Sequence, residues 1–265
     1  MLIKPLALMD LDDTLFQTAK HLPQSVLKHV ATLDKNGQPL AFMTDTQLQF
    51  WQWLNASTEV IPVTARSVSG LARVQIEFSS WVVCQHGAVI LSPSRVIDAD
   101  WAAHMNTQLA RYQSDLASYC AEIMQAAQPF TDVRAWVTDE FEQSIYIIVK
   151  KSANNDVIFK QIIDSLKNSP RAADYYIHIN GNTMAVLPHV VSKQSAVAYL
   201  LQRIQHDSAR PIIGWGDSLS DLPFLQHCDW WGMPKRAQAS QWFNQKLTQH
   251  VQQEGAYEFI NTAHA

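Results

Sequence analysis

Residues 6–14 read LALMDLDDT, a short apolar run followed by acids. An apolar run of this length bounded by acids predicts a buried β-strand that ends at Asp10. Asp10 and Asp12 should then emerge together at the carboxyl end of the strand, where open α/β sheets place their ligands. Two such acids can divide the work of a reaction, since one can attack or bind metal while the other moves a proton.

The composition indicates a well-packed globular protein. The chain has 265 residues, of which 47% are hydrophobic and nine are tryptophan. This length fits two ordinary domains, or one domain with a large insertion. The formal net charge is -4 and there is no long basic run, so the electrostatic footprint of a nucleic-acid-binding protein is missing. A small anionic ligand would need locally focused cations.

Cysteine and histidine spacing argues against disulfide and zinc chemistry. The cysteines are Cys84, Cys120 and Cys228; they are far apart and odd in number, which predicts core thiols. No HxxxH or HxH pair supports a zinc site. The N-terminus reaches Asp10 too early for a secretory segment, and no run of about 18 apolar residues follows. We therefore expect a cytoplasmic protein without a membrane partner.

Helices and strands alternate at both ends of the chain, which favours a mostly parallel sheet with helices on both faces. The pattern predicts helices at 24–33, at 45–55 with Asp45 as the cap, through Leu71, Val74 and Phe78, and at 238–252. It predicts strands at 59–63, 81–84, 211–215 and 230–233. These segments assign residues 1–94 and 188–265 to one α/β core.

The middle of the chain has a different pattern. A long helical pattern at 100–127 is followed by strand patterns at 134–138 and 144–150 and by a helix near 155–166. Strands at 175–179 and 183–187 then flank Asn180-Gly181-Asn182, a strong hairpin signal because asparagine and glycine accept positive φ. Hairpins separated by helices predict an α+β unit, inserted into the core at residues 95–187.

Polar residues follow predicted strands, or begin a predicted helix, at four places: Asp10 to Thr14, Thr64 to Arg66, Lys193, and Gly216 to Asp221. A phosphate monoester is dianionic near neutral pH, so an attacking carboxylate is repelled unless cations neutralise both partners. Asp10 and Asp217 suit Mg²⁺, a hard ion that prefers oxygen ligands. Lys193 adds positive charge, and Thr64 can donate a hydrogen bond to a phosphoryl oxygen.

Each of these signals also has a structural explanation. Lys193 falls in the first turn of a predicted helix, where the dipole disfavours a cation unless an anion lies nearby; its flexible stem could instead carry the ammonium into solvent. Asp217 or Ser218 could simply cap a helix. An EF-hand is excluded, because Leu15 and His21 stand where a calcium loop requires glycine and glutamate.

The order of the motifs along essentially the whole chain resembles the haloacid dehalogenase superfamily of aspartate-nucleophile phosphatases. DLDDT at 10–14 is similar to the DxDx[TV] signature of that family. GDSLSDLPFL at 216–225 is similar to the fourth motif of its phosphosugar phosphatases, including the mannosyl-3-phosphoglycerate type. The insertion resembles the cap of the Cof-type and sucrose-phosphate-phosphatase-like branch. The resemblance implies a Rossmann-like, doubly wound parallel sheet core with an inserted α+β cap domain.

The resemblance also implies roles for individual residues. Asp10 would be the nucleophile and Asp12 the acid/base. Phosphate would be bound by Thr64, Lys193 and Leu11. Mg²⁺ would be held by Asp10, Asp12, Asp217 and Asp221. The sequence departs from the family pattern where Asp13 replaces a common glycine, and where Ser220 and His86 each replace a common asparagine.

Together these inferences predict a Mg²⁺-dependent phosphatase that hydrolyses a small phosphomonoester, a phosphosugar, through an aspartyl-phosphate intermediate. Substrate choice should lie in the cap, because a closing cap contacts the leaving group. The candidate substrate contacts are Arg66 and, in the cap, Arg134, Tyr146, Lys150, His178 and Asn180.

Two other functions remain open. A phosphosugar mutase would need a cationic grip on a second phosphate, and the cap arginines are few: Arg95, Arg111, Arg134 and Arg171. A non-catalytic phosphosugar-binding regulatory protein would have no need of a proton-transfer acid, so the presence of both Asp10 and Asp12 argues against it.

Overall fold

The structure is a computed structural model and describes residues 3–23, 25, 29–152, 157–205 and 207–254. Within these residues the α-helices are α1 (Asp45–Ser57), α2 (Val68–Leu71), α3 (Ala99–Leu109), α4 (Gln113–Ala126), α5 (Val157–Leu166), α6 (Lys193–Arg203), α7 (Leu222–Leu225) and α8 (Gln238–Glu254). The strands are β1 (Leu6–Met9), β2 (Gln17–Thr18), β3 (His29–Leu33), β4 (Pro39–Met43), β5 (Glu59–Pro62), β6 (Val82–Cys84), β7 (Val89–Leu91), β8 (Val133–Glu140), β9 (Gln143–Lys151), β10 (Tyr175–Asn180), β11 (Thr183–Pro188), β12 (Ile212–Trp215) and β13 (Trp230–Gly232). None of these described helices is long and apolar enough to cross a membrane.

A four-stranded parallel sheet in the order β13-β12-β1-β5 organises the core. β1 lies inside the sheet, in register with β12 on one side and β5 on the other. Every residue of β1 is buried, which explains why its sequence is an unbroken apolar run rather than an alternating one. The carboxyl ends of β1 and β12 lie side by side, and the amide of Asp10 donates a hydrogen bond to the carbonyl of Trp215 (2.9 Å).

A four-stranded antiparallel sheet in the order β10-β11-β9-β8 forms the second large sheet. α4 packs on β8 and β9 and also contacts α5, burying a row of apolar side chains that includes Leu116, Tyr119 and Ile123. The predicted hairpin is confirmed, because Asn180 pairs with Thr183 and Gly181 takes the left-handed φ of 54° that such a turn requires. The α+β pattern of the middle segment is therefore present, while the domain limits at 95 and 187 stay a prediction.

The predicted helix at 24–33 is wrong where the structure describes its second half. Residues 29–33 form β3, which pairs with β4 in an antiparallel hairpin, while residues 24 and 26–28 lie outside the described residues. The turn carries the deciding signal: the carboxylate of Asp34 accepts from the amides of Asn36 and Gln38 (2.8 Å each), and Gly37 has φ 77°. Local turn chemistry overrides the helical spacing here.

Other helix predictions need smaller corrections. α1 is capped by Thr44 in a capping box with Gln47, and not by Asp45. The helix predicted through Phe78 is wrong beyond Leu71, because the chain leaves α2 to hydrogen-bond with β3, where the amide of Gln75 donates to the carbonyl of Ala31 (2.8 Å). The long helix at 100–127 is interrupted by a 3₁₀ turn at Ala110–Tyr112.

Candidate active site

A buried ion-pair cluster lies at the carboxyl end of β1. The ammonium of Lys193 donates to Asp10 Oδ1 (2.8 Å) and to Asp221 Oδ1 (2.7 Å). The second oxygen of Asp10 accepts from the hydroxyl of Thr14 (3.1 Å). All four side chains are buried. Residues distant in the sequence therefore converge on one point, and the Asp10 carboxylate is oriented by both of its oxygens.

Lys193 occupies the first residue of α6, after the N-cap Ser192. The helix dipole disfavours a cation there, and burial adds a further penalty. Even so, the pKa of Lys193 is raised, because Asp10 and Asp221 outweigh the effect of burial, which alone would lower it. The anions expected near this lysine are therefore present, and the ammonium is buried rather than carried into solvent.

Asp221 holds the loop after β12 in place. Its Oδ2 accepts from the amides of Asp217 (3.2 Å) and Ser218 (3.0 Å) and from the hydroxyl of Ser218 (2.7 Å). Burial alone would raise its pKa, but Lys193 and these hydrogen bonds lower it below the ordinary value. A Cβ at Gly216 would lie 2.5 Å from the Cβ of Asp221. The loop therefore requires glycine at position 216 and an acid at position 221.

Three carboxyl groups face one another, and the Lys193 ammonium contacts two of them, Asp10 and Asp221. One oxygen from each of Asp10, Asp217 and Asp221 lies within 4.8 Å of the others. Burial, reinforced by Asp10 and Asp221, raises the pKa of Asp217 to about 9. Burial likewise raises the pKa of Asp10 to about 7, although Lys193 opposes the shift. The raised pKa values show that further positive charge is needed to ionise all three groups, and a buried oxygen-only set is the donor chemistry that Mg²⁺ prefers, so these residues fit a divalent ion.

Asp12 belongs to a different contact. Its two oxygens accept from Arg66 Nε (2.6 Å) and Nη2 (2.7 Å) in a bidentate fork. The Asp12 side chain is 36% exposed and its carboxylate is not part of the three-carboxylate group. Arg66, a candidate substrate contact by sequence, is thus engaged by Asp12. A planar guanidinium fork of this kind fixes the orientation of a carboxylate.

Thr64 lies fully buried at the start of the loop that follows β5. Its amide donates to the carbonyl of Val83 (2.9 Å), and its hydroxyl accepts from the amide of Arg66 (3.1 Å). Leu11 is also fully buried, and its carbonyl accepts from the amide of Leu15 (2.8 Å). The structure therefore shows Thr64 and Leu11, two of the three predicted phosphate-binding residues, in the loops that follow β5 and β1, while their contact with phosphate stays a prediction.

A cavity of about 530 Å³ adjoins Lys193. Its polar lining includes His86, Tyr176, His178, His189 and Gln194, and its apolar lining includes Ile177, Ile179, Leu219 and Pro223. Ligand pockets in proteins span roughly 300–1,000 Å³ and combine apolar walls with a few polar groups. The cavity has the size and lining of a binding site, and it opens next to the ammonium that contacts Asp10.

The candidate substrate residues fall in different places. His178 lines the cavity. Asn180 lies at the hairpin tip and donates to Asp13 Oδ2 (3.2 Å), beside Asp217. Arg134 is exposed on β8, the edge strand of the antiparallel sheet farthest from β10, and it does not line this cavity. The structure thus brings His178 and Asn180 to the site and leaves Arg134 away from it.

Acid should destabilise the protein through His178. Burial and Lys193 lower the pKa of His178 from 6.5 to about 4. Between these two pH values the unfolded chain binds a proton at His178 that the folded protein does not bind. The free energy of unfolding therefore decreases as the pH is lowered, by up to about 1.4 kcal/mol per pH unit. Urea unfolding at pH 7 and pH 5 should show a smaller loss in His178→Gln than in the parent protein. Equal losses in both proteins would contradict this assignment.

The family of the chain is shown by its similarity to known proteins. The family profile described as sucrose-6F-phosphate phosphohydrolase matches residues 4–256. No curated protein matches the chain. The chain is similar to the sucrose-phosphatase of Synechocystis sp. PCC6803, solved with sucrose and phosphate: 17% identity, 96% of this chain and 89% of that one, TM-score 0.53.

Two further solved structures are similar. One is the C-terminal domain of trehalose-6-phosphate phosphatase from C. albicans, with 12% identity, 84% of this chain and 73% of that one covered, and a TM-score of 0.58. The other is the protein 0175 of Thermoplasma acidophilum, with 11% identity, 89% of this chain and 87% of that one covered, and a TM-score of 0.52. At such identities the likeness establishes the fold alone. The family match spans nearly the whole chain, and the chain accordingly belongs to the sucrose-6F-phosphate phosphohydrolase family of haloacid dehalogenase-type phosphoric monoester hydrolases.

Proposed function

We propose that this hydrolase is a Mg²⁺-dependent phosphatase acting on a phosphorylated sugar, and that sucrose 6F-phosphate is the first substrate to test. The observation that carries the proposal is the Lys193 ammonium, which bridges Asp10 and Asp221 with Asp217 alongside. The family description supports the choice of sugar phosphate. The adjoining cavity supports a leaving group of substantial size.

The covalent step is assigned to Asp10. Its carboxylate oxygen attacks phosphorus in line, the bond from phosphorus to the sugar oxygen breaks, and an aspartyl-phosphate forms. Lys193 neutralises the charge of the nucleophile before attack and of the phosphoryl oxygens afterwards. When bound by Asp10, Asp217 and Asp221, Mg²⁺ would supply further positive charge to the phosphoryl group. The carboxylate of Asp12 bonds to Arg66, so we do not propose it as a metal ligand.

Proton transfer is assigned to Asp12. Its half-buried carboxylate is oriented by the Arg66 fork, and it takes up a proton from solvent when one of these two hydrogen bonds is released on substrate binding. In the first step it gives a proton to the sugar oxygen; in the second it takes a proton from the water that attacks phosphorus and releases Asp10. Both steps balance, because the proton lost to the sugar is recovered from water.

Residues 95–187 are proposed to act as the cap. β10 carries His178 into the cavity beside Lys193, and the hairpin tip places Asn180 on Asp13. A cap in this position would exclude bulk water from the phosphoryl group and would contact the sugar. Substrate choice would then depend on the lining of the cavity.

The arginines favour hydrolysis over a mutase. Arg171 is held by Asp115, Glu122 and Ser118, and Arg95 by the carbonyls of Phe78 and Ser80. Neither of them, nor Arg111 or Arg134, lines the described cavity next to Lys193. A second phosphate would therefore meet few cations there.

Release of inorganic phosphate from a panel of sugar phosphates tests the proposal. With Mg²⁺ we expect phosphate release from sucrose 6F-phosphate to exceed that from hexose phosphates, and chelation by EDTA should abolish it. Isomerised sugar phosphate without free phosphate would instead indicate a mutase. Binding of a sugar phosphate without turnover of any panel member would indicate a binding protein and would refute the proposed reaction.

A further inference from the structure

The turn that follows β6 has unusual backbone geometry. Gln85, His86 and Gly87 have successive φ angles of 52°, 55° and 101°. Left-handed φ angles are uncommon outside glycine, so the backbone is strained at Gln85 and His86. A Cβ at Gly87 would lie 2.2 Å from the carbonyl oxygen of Ser192, so the turn is pressed against the residue that precedes Lys193.

Backbone contacts attach this turn to the loop of Thr64. The amide of Gln85 donates to the carbonyl of Arg66 (2.8 Å), and the amide of His86 donates to the carbonyl of Thr64 (3.2 Å). The turn therefore lies between the loop after β5 and the N-terminus of α6, two of the elements around Asp10. Strain in such a position is retained only if other contacts over-determine it.

The side chain of Gln85 supplies those contacts. It is fully buried; its amide oxygen accepts from the hydroxyl of Tyr146 (2.9 Å), and its amide nitrogen donates to Glu140 (2.7 Å). Both partners belong to the antiparallel sheet, on β9 and β8. Gln85 carries no sequence motif that would identify it, and only the fold shows that one amide joins the strained turn to the sheet bearing His178.

The turn places the side chain of His86 between the core and the antiparallel sheet. Its side chain is buried, with 6% exposure, and its ring lies edge-to-face on Tyr146 (5.2 Å between centroids) and on His178 (5.4 Å). Both imidazoles line the cavity next to Lys193. Within the described part of the chain, neither ring has a hydrogen-bond partner. A buried ring without a partner that faces a cavity is available to a ligand.

We propose that His86 is a specificity-determining residue that hydrogen-bonds hydroxyl groups of the sugar, and that Gln85 is the residue that positions it. This inference rests on the proposed phosphatase function. Burial and the neighbouring His178 and Lys193 lower the pKa of His86 well below 6.5, so its ring is neutral at pH 7 and offers one donor and one acceptor, as a sugar hydroxyl also does. A site built to hydrogen-bond a hydroxyl discriminates strongly against substrates that lack it.

The test compares two substrates by the ratio of their kcat/KM values: the sugar phosphate that the parent protein hydrolyses fastest, and p-nitrophenyl phosphate, which has no hydroxyl groups. His86→Phe keeps an aromatic ring against Tyr146 but removes both nitrogens, and should lower this ratio about tenfold. His86→Asn restores a donor and an acceptor and tolerates left-handed φ, so its ratio should stay within about threefold of the parent protein. His104→Phe, on an exposed part of α3, is the control.

Gln85→Met tests the positioning role. It should lower the same ratio, and in the His86→Phe background it should lower it no further, because the two residues act through one contact. Gln113→Met is the matched control, since the side-chain amide of Gln113 likewise bonds to β9, at Ser144 and away from the cavity. The inference would be overturned if His86→Phe lowered kcat/KM equally for both substrates. It would also be overturned if the effects of Gln85→Met and His86→Phe on the ratio were additive.

A separate readout distinguishes this inference from the proposed function. Sucrose, the dephosphorylated sugar, is titrated into the parent protein, His86→Phe and His86→Asn by calorimetry. We expect weaker binding to His86→Phe, by about tenfold, and near-parent binding to His86→Asn. If the parent protein hydrolyses no phosphate ester, the proposed function fails, and this titration still decides on His86. Unchanged sucrose affinity in His86→Phe would refute its role.

Discussion

Asp10→Asn should lower kcat by at least about 10⁴-fold with the substrate found in the panel, as removal of a nucleophile does in other hydrolases. The amide keeps the shape of the side chain and can still accept a hydrogen bond from Lys193, which now contacts Asp10 at 2.8 Å. It cannot attack phosphorus, because it lacks the charged oxygen. Steady-state phosphate release and far-ultraviolet circular dichroism together check that activity is lost while the fold remains.

Asp13→Asn is the matched control for this variant. Asp13 lies in the same acidic segment but its φ of 60° suits asparagine, which tolerates the left-handed region well. We expect its kcat to stay within about fivefold of the parent protein, since a lost charge outside the three-carboxylate group removes no reacting atom. Near-parent turnover by Asp10→Asn would exclude the aspartyl-phosphate mechanism.

Lys193→Met should lower both stability and activity. The ammonium sits between Asp10 and Asp221, with 8% of its own side chain exposed. Removing one partner of a buried ion pair leaves uncompensated charge and costs about 3–5 kcal/mol of unfolding free energy. We expect kcat to fall by about 10²–10³-fold as well, since a preorganised cation beside the nucleophile is lost.

Urea unfolding and phosphate release measure the two effects. Lys160→Met on α5 is the control, because Lys160 is exposed and a surface change of this kind should alter stability by no more than about 0.5 kcal/mol. Lys193→Arg should retain more stability than Lys193→Met, because it keeps the charge. If Lys193→Met lowered the free energy of unfolding by less than about 1 kcal/mol, Lys193 would not be the residue that holds the cluster together.

The sequence predicts the strand ends at the site well, for a physical reason. β1 is buried on both faces, so its residues must be an unbroken apolar run, and the first acid after it has to lie at the carboxyl edge. Asp217 follows β12 in the same way, although buried and half-buried residues alternate along that strand. An anion near Lys193 is predicted because the helix dipole disfavours a cation in the first turn of α6. In the structure two carboxylates, those of Asp10 and Asp221, contact this ammonium.

Contacts between side chains from distant loops were not predictable in this way. The fork from Arg66 to Asp12 joins residues 54 positions apart, and the amide of Gln85 reaches Tyr146 across 61 positions. Neither residue type identifies its partner by spacing, because the first pair depends on how two loops at one edge of the parallel sheet meet, and the second on how the turn after β6 meets the antiparallel sheet. The β3–β4 hairpin was missed for a local reason, since the turn at Asp34 and Gly37 was outweighed by the helical spacing.

The pairing of Lys193 with Asp10 spans 183 positions, with the whole antiparallel sheet encoded between them. Closing so long a loop has an entropic penalty that only the finished tertiary structure offsets. Local helices and hairpins alone do not bring the ammonium to the nucleophile, because the two residues lie on different elements of the core. Recovery of enzymatic turnover after dilution from denaturant therefore reports on long-range tertiary contacts, and we expect it to lag behind the recovery of far-ultraviolet circular dichroism.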